Sequence, residues 1–108
     1  MKIALTIAAI ALLAIPSLAW GDAPASLTLK GHKFLPAEIH VKANQPNVIA
    51  LTNSDDSAEE FDSTSLKVEK IVSAHDKGDV RLRPLAPGRY PFMGEFHSDT
   101  AQGVVVAD

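Results

Sequence analysis

The feature that most constrains this chain is a two-residue rhythm. The segments "SLTLKG" (26–31), "AEIHVKA" (37–43), "VEKIVSA" (68–74) and "DVRLRPL" (79–85) alternate apolar and polar side chains. Successive side chains of a strand point to opposite faces, so this alternation predicts strands with one face buried. "NVIALTN" (47–53) is more continuously apolar and β-branched, which suits a central strand. "GRYPFMGEF" (88–96) and "GVVVAD" (103–108) close the chain. Turn-forming clusters separate the segments: "LPAE", "ANQP", "NSDDS", "HDKGD", "LAPG" and "SDTAQG". Beyond the N-terminal segment no apolar pattern repeats at the 3.6-residue helical period. No internal repeat, low-complexity tract or linker interrupts the pattern. Short strands at this spacing predict one all-β domain, an antiparallel sandwich or barrel.

The N-terminus departs from the rhythm. Met1-Lys2 is a short positive start, Ile3 to Ile15 is an almost unbroken apolar run, and Pro16, Ser17 and Ala19 follow. That order is a secretory signal, with cleavage expected after Ala19 or Gly21. The alternative, a membrane anchor, would need about 20 apolar residues. The expected organisation is a signal peptide over 1–21 and one domain over 22–108, exported to the periplasm and not inserted in a membrane.

Charge and cysteine usage exclude several functions. The chain carries ten Lys and Arg against thirteen Asp and Glu, and loss of Lys2 with the signal leaves nine against thirteen, a net charge of −4. An acidic domain is a poor partner for nucleic acid or an anionic membrane and a compatible one for cations. With no cysteine, thiolate catalysis, iron–sulfur clusters, Cys-based zinc sites and disulfides are all excluded. So small a domain relies on its core, or on a bound ion that favours the folded form by linkage. Nothing in the chain reads as a nucleophile elbow, a phosphate-binding glycine loop or an H-E-x-x-H helix.

The remaining candidates are histidines, carboxylates and one methionine. "DDSAEEFD" places five carboxylates between Asp55 and Asp62. Such a run is ordinarily a solvated loop. If "EEFD" starts a strand, alternation points Glu59 and Phe61 one way and Glu60 and Asp62 the other. One of the two glutamates then faces inward, where a carboxylate needs a partner or a cation. "GEFH" sets Glu95 and His97 two apart, on one face if the strand continues, an O/N pair suited to Cu(II), Zn(II) or iron. His40 alternates with Ile39 and Val41 and His75 lies in a turn, so both read as surface residues. Met93 faces out if Phe92 faces in.

Three segments together, "HKFLPAEIHVKANQP", "LTNSDDSAEEF" and "GRYPFMGEFHSDTAQGVVV", resemble the cupredoxin family. The resemblance implies an all-β, Greek-key sandwich of seven or eight strands. In that family a first histidine ligand follows a strand-ending Asn by six residues. The last hairpin reads Y-x-F-x-C-x-x-H, with an axial Met about five residues beyond the His. In this chain those positions hold Glu59, Gly94, His97 and Gln102. Three of the four differ, and a blue, type 1 copper site requires the missing thiolate.

The chain further resembles cupredoxin-like domains associated with bacterial uptake of ferrous or elemental iron, on the strength of Glu59-Glu60-Phe61, Glu69-Lys70 and Gly94-Glu95-Phe96-His97. That resemblance implies a copper or iron ion as cofactor. It also implies an accessory part in Fe(II) oxidation, and as partners an inner-membrane iron permease and other periplasmic iron-uptake proteins. By the family's placement of the first interstrand loop, His32 joins the candidates. The expected metal residues are therefore His32, Glu59, Glu60, Glu95 and His97. The alternatives are a Cu(II)-binding delivery protein without catalysis and a metal-free structural sandwich.

Overall fold

A computed structural model describes residues 23–108; the expected signal segment lies outside them. Nine strands and one short 3-10 helix make up the domain: β1 (Ala25–Lys30), β2 (Lys33–Leu35), β3 (Glu38–Val41), β4 (Asn47–Asn53), β5 (Glu59–Ser63), β6 (Val68–Val72), β7 (Lys77–Leu82), β8 (Gly88–Gly94), η1 (Glu95–His97) and β9 (Gln102–Ala107). They form two sheets, one ordered β2-β1-β4-β7 and the other β3-β9-β8-β5-β6. The expected all-β sandwich is what forms, with two differences of detail. Nine strands replace seven or eight because β2 is only three residues long, too short to show alternation. The sheets are also not purely antiparallel. β1 pairs parallel with β4, and β3 parallel with β9. The chain passes from β2 across to β3 in the other sheet before returning to β4, so β4 arrives beside β1 running the same way.

Alternation places the core between the sheets. Leu27 and Leu29 of β1, Ile49 and Leu51 of β4, Phe61 of β5, Val80 and Leu82 of β7, Phe92 of β8 and Val105 of β9 are all buried. β4 lies inside its sheet, as its more continuous apolar character predicts. Phe34, Phe61 and Phe92 pack together across the sandwich, with ring centroids 5.1 Å apart for Phe34–Phe92 and 4.7 Å for Phe61–Phe92. Edge and offset-stacked arrangements at these separations add to the area they bury.

This aromatic cluster positions the end of the sandwich that matters. Glu59 is two residues before Phe61 on β5, and Gly94 is two residues after Phe92 on β8. Each therefore shares its strand's inward face with a core phenylalanine. Cross-strand register then sets Gly94 directly opposite Phe61, and the Glu59 side chain lies beside Gly94 at the end of the core.

Candidate functional site

The strand expected over "GRYPFMGEF" stops at Gly94. Glu95 to His97 turn into η1, so Glu95 and His97 do not share a strand face as their spacing predicts. The cause is local: Gly94 bonds back to the Ala101 carbonyl at 2.8 Å, and Ala101 and Thr100 bond to the His97 carbonyl, closing a tight loop. The five expected metal residues consequently fall in two places. Glu59, His97 and His32 gather on the inner side of β5, and Glu60 and Glu95 meet on its outer side.

On the inner side, alternation has driven a carboxylate into the core. Glu59 is fully buried. Its Oε1 accepts the backbone N–H groups of Glu60 at 3.0 Å and Phe96 at 2.9 Å. Its Oε2 lies 2.5 Å from Nδ1 of His97, whose side chain is 24% exposed. The carboxylate thus ties β5 to η1. No buried side-chain nitrogen or oxygen among the described residues is left without a partner.

Gly94 makes room for this arrangement. A Cβ at that position would stand 2.6 Å from Glu59 Cδ and 2.8 Å from Ala101 Cβ. The Glu59 carboxylate fills the space that a side chain at position 94 would need. Glutamate at 59 and glycine at 94 are therefore structurally coupled, and a side chain at 94 would collide with the carboxylate.

His32 covers the other side of His97. Their rings stack with centroids 3.6 Å apart and planes 15° from parallel. His32 sits in the turn between β1 and β2 with a φ of 56°, a left-handed conformation uncommon outside glycine. Asp55 holds it there by accepting the N–H of Gly31 at 2.7 Å and of His32 at 2.9 Å. Desolvation raises the Asp55 carboxyl, but these two N–H bonds and the nearby histidines outweigh it and hold it below its usual range. The loop carrying Asp55 is fixed by Asn53, a buried amide that donates to the carbonyls of Ser57, Val72 and Ser73 and accepts from the Asp55 N–H.

On the outer side, Glu60 and Glu95 are neighbours. Partial desolvation, then the charge and hydrogen bond of Glu95, then the charges of Glu69 and Asp62, raise the Glu60 carboxyl above its usual range. The acidic run thus splits by role: Asp55 caps a turn, Asp56 pairs with His75 at 2.6 Å on the surface, Glu59 is buried, and half-buried Glu60 neighbours the exposed Glu95. His40 and His75 are exposed as the sequence predicts, and Met93 faces solvent. Sequence reasoning missed the roles of Asn53 and Asp55. The signal available was an Asn closing an apolar strand two residues before an Asp, an Asx-type arrangement.

Among the described residues no group of three or more His, Cys, Asp or Glu side chains is gathered to hold a metal ion. Also among them, no helix is long and apolar enough to cross a membrane.

The two-sheet sandwich, with His97 in the loop of its last hairpin, defines the fold class. A family model described as a cupredoxin-like domain matches residues 3–107, and the chain belongs to that family. It is 42% identical over 82 residues to an uncharacterized protein of Rickettsia prowazekii (strain Madrid E), covering 76% of this chain and 66% of that protein, a little under two thirds of its length. Among solved structures, the metal-binding domain of the Cu(I)-exporting P-type ATPase CopA of Streptococcus pneumoniae D39 superposes with a TM-score of 0.70 at 15% identity, covering 79% of this chain and 84% of that one. The blue copper protein auracyanin A of Chloroflexus aurantiacus gives 0.66 at 15% identity, covering 82% and 100%. Amicyanin of Paracoccus versutus gives 0.62 at 12% identity, covering 79% and 81%. At such identities the structural likeness speaks to fold alone.

Copper is the ion this fold family implies. A type 1 centre does not fit the residues present: the thiolate is absent, Gly94's space is filled, and both oxygens of Glu59 are already bonded. Donors of the harder N/O kind are present at this end, His97 on the inner side of β5 and Glu60 and Glu95 on the outer side, but no three of them converge.

Proposed function

We propose that this chain is a periplasmic, cation-binding cupredoxin-like protein that assists ferrous-iron oxidation and uptake through an iron permease system. Its ion binds at the η1 end of the sandwich, where His97 is the nitrogen donor and Glu60 and Glu95, on the other side of β5, add negative charge, while Glu59 and His32 hold His97 in place. The observation that carries the reading is His97, a partly exposed imidazole held by the buried Glu59 carboxylate and stacked on His32. Desolvation and the charges of Glu95, Glu69 and Asp62 raise the Glu60 carboxyl; a cation would relieve that repulsion, and imidazole with carboxylates suits Cu(II) or iron. Such an ion would supply redox chemistry; the protein's own residues supply binding and orientation. The motifs "EEFD" and "GEFH" and the N-terminal signal pattern support the iron-uptake and export parts of the reading.

The test is titration of the metal-stripped protein with Cu(II), Fe(II) and Fe(III), followed by visible absorption and EPR. The expected result is one saturable equivalent with a weak d–d band for Cu(II) and no intense thiolate band. Fe(II) oxidation accelerated by the loaded protein would separate the iron role from Cu(II) delivery without catalysis. Failure of all three ions to saturate would leave the metal-free sandwich.

A further inference from the structure

We infer that Glu59 is a positioning residue and not a ligand: by accepting the Nδ1 proton of His97 it leaves Nε2, directed away from the core, as the ring's electron-pair donor. The inference deepens the metal-binding reading and rests on it for its consequence, but its central claim concerns the metal-free protein.

The bonding leaves little choice of roles. Oε1 receives two backbone N–H groups, which can only donate, so no proton resides on that oxygen. Oε2 faces a single partner, Nδ1, at 2.5 Å. With Glu59 as a carboxylate, all its bonds are received from donors, and Nδ1 must carry hydrogen. In the neutral ring, hydrogen on Nδ1 places the lone pair on Nε2. A carboxylate that takes the far N–H of a metal-binding histidine fixes both tautomer and ring direction and strengthens the donor.

The same geometry withdraws Glu59 and His32 from direct coordination. The Glu59 side chain is 1% exposed with both oxygens occupied. Near-parallel stacked imidazoles direct their in-plane lone pairs along separate planes, not onto one ion. An ion in this protein therefore sits on the outward side of His97, displaced from the space over Gly94 that the carboxylate fills.

The experiment is long-range 1H–15N NMR of the four imidazoles in the metal-free protein, with Glu59→Gln as the paired variant. In the wild type, His97 is expected to show Nδ1 in the protonated range and Nε2 in the unprotonated range. Glutamine keeps an oxygen for the Phe96 and Glu60 N–H groups but presents its NH2 to Nδ1. The tautomer should invert, and Cu(II) affinity should fall by about 10- to 100-fold. His75→Ala should change neither. A wild-type His97 with hydrogen on Nε2 would overturn the inference whether or not the variant folds. So would a folded Glu59→Gln protein with unchanged tautomer and Cu(II) affinity. The expected tautomer together with no binding of Cu(II), Fe(II) or Fe(III) would support the positioning claim while removing the metal-binding function.

Discussion

Replacing Glu59 by alanine isolates what a buried carboxylate contributes at the end of this sandwich. The change removes the acceptor for the Phe96 and Glu60 N–H groups and for His97 Nδ1. Each buried donor left unpaired costs about 1–3 kcal/mol. Because His97 is 24% exposed, water can reach part of the vacated space, so the three costs do not sum in full. Three donors at that cost, partly met by water, give an expected loss of about 3–5 kcal/mol. Domains of this size have a total stability of about 4–13 kcal/mol. The urea midpoint, at a slope of about 1 kcal/mol/M, should drop by about 3–5 M or the chain should fail to fold. Glu59→Gln retains the backbone acceptor and the volume, so its loss should be about 1 kcal/mol. Urea unfolding followed by circular dichroism measures both. A loss below about 1 kcal/mol for Glu59→Ala, with unchanged slope, would refute the hub role of this carboxylate.

Other outcomes follow from the same geometry. Gly94→Ala should destabilise by about 1–3 kcal/mol through contact with Glu59 and Ala101, and by less when Glu59 is already alanine, measured as a double-mutant cycle. Glu60 holds its proton more tightly in the folded state, so its ionisation costs stability as pH rises from the ordinary carboxyl range through the raised value. Glu60→Gln should therefore melt above the wild type at pH 7, with the gap closing in acid. Asp55 is the opposite case: its stabilisation is present above the ordinary carboxyl range and lost as pH falls through its lowered value. Asp55→Asn should cost about 1–2 kcal/mol at neutral pH and progressively less in acid. In calorimetric titration with Cu(II), His97→Ala should abolish most of the affinity while His75→Ala leaves it intact.

The arrangement of the candidate residues was only partly legible in the sequence. The alternation of Glu59 with Phe61 announced an inward carboxylate, and the structure buries it. The E-x-H spacing of Glu95 and His97 misled, because a strand's two-residue period applies only while the strand lasts. A loop closed by the His97 carbonyl ends it at Gly94. That Glu60 would find Glu95, and not share a site with Glu59, required knowing both where β5 begins and where β8 stops.

By itself the sequence determined an all-β domain, the inward face of nearly every strand, the absence of any thiolate and hence the exclusion of blue copper. These follow from side-chain chemistry and from a backbone period that each strand carries locally. Tertiary structure alone decided the parallel pairings, the partner of Glu59, the stacking of His32 on His97 and the space at Gly94 that the carboxylate fills. Those contacts join residues from 24 to 66 positions apart in the chain, and no local pattern encodes which distant groups will meet once the sheets close.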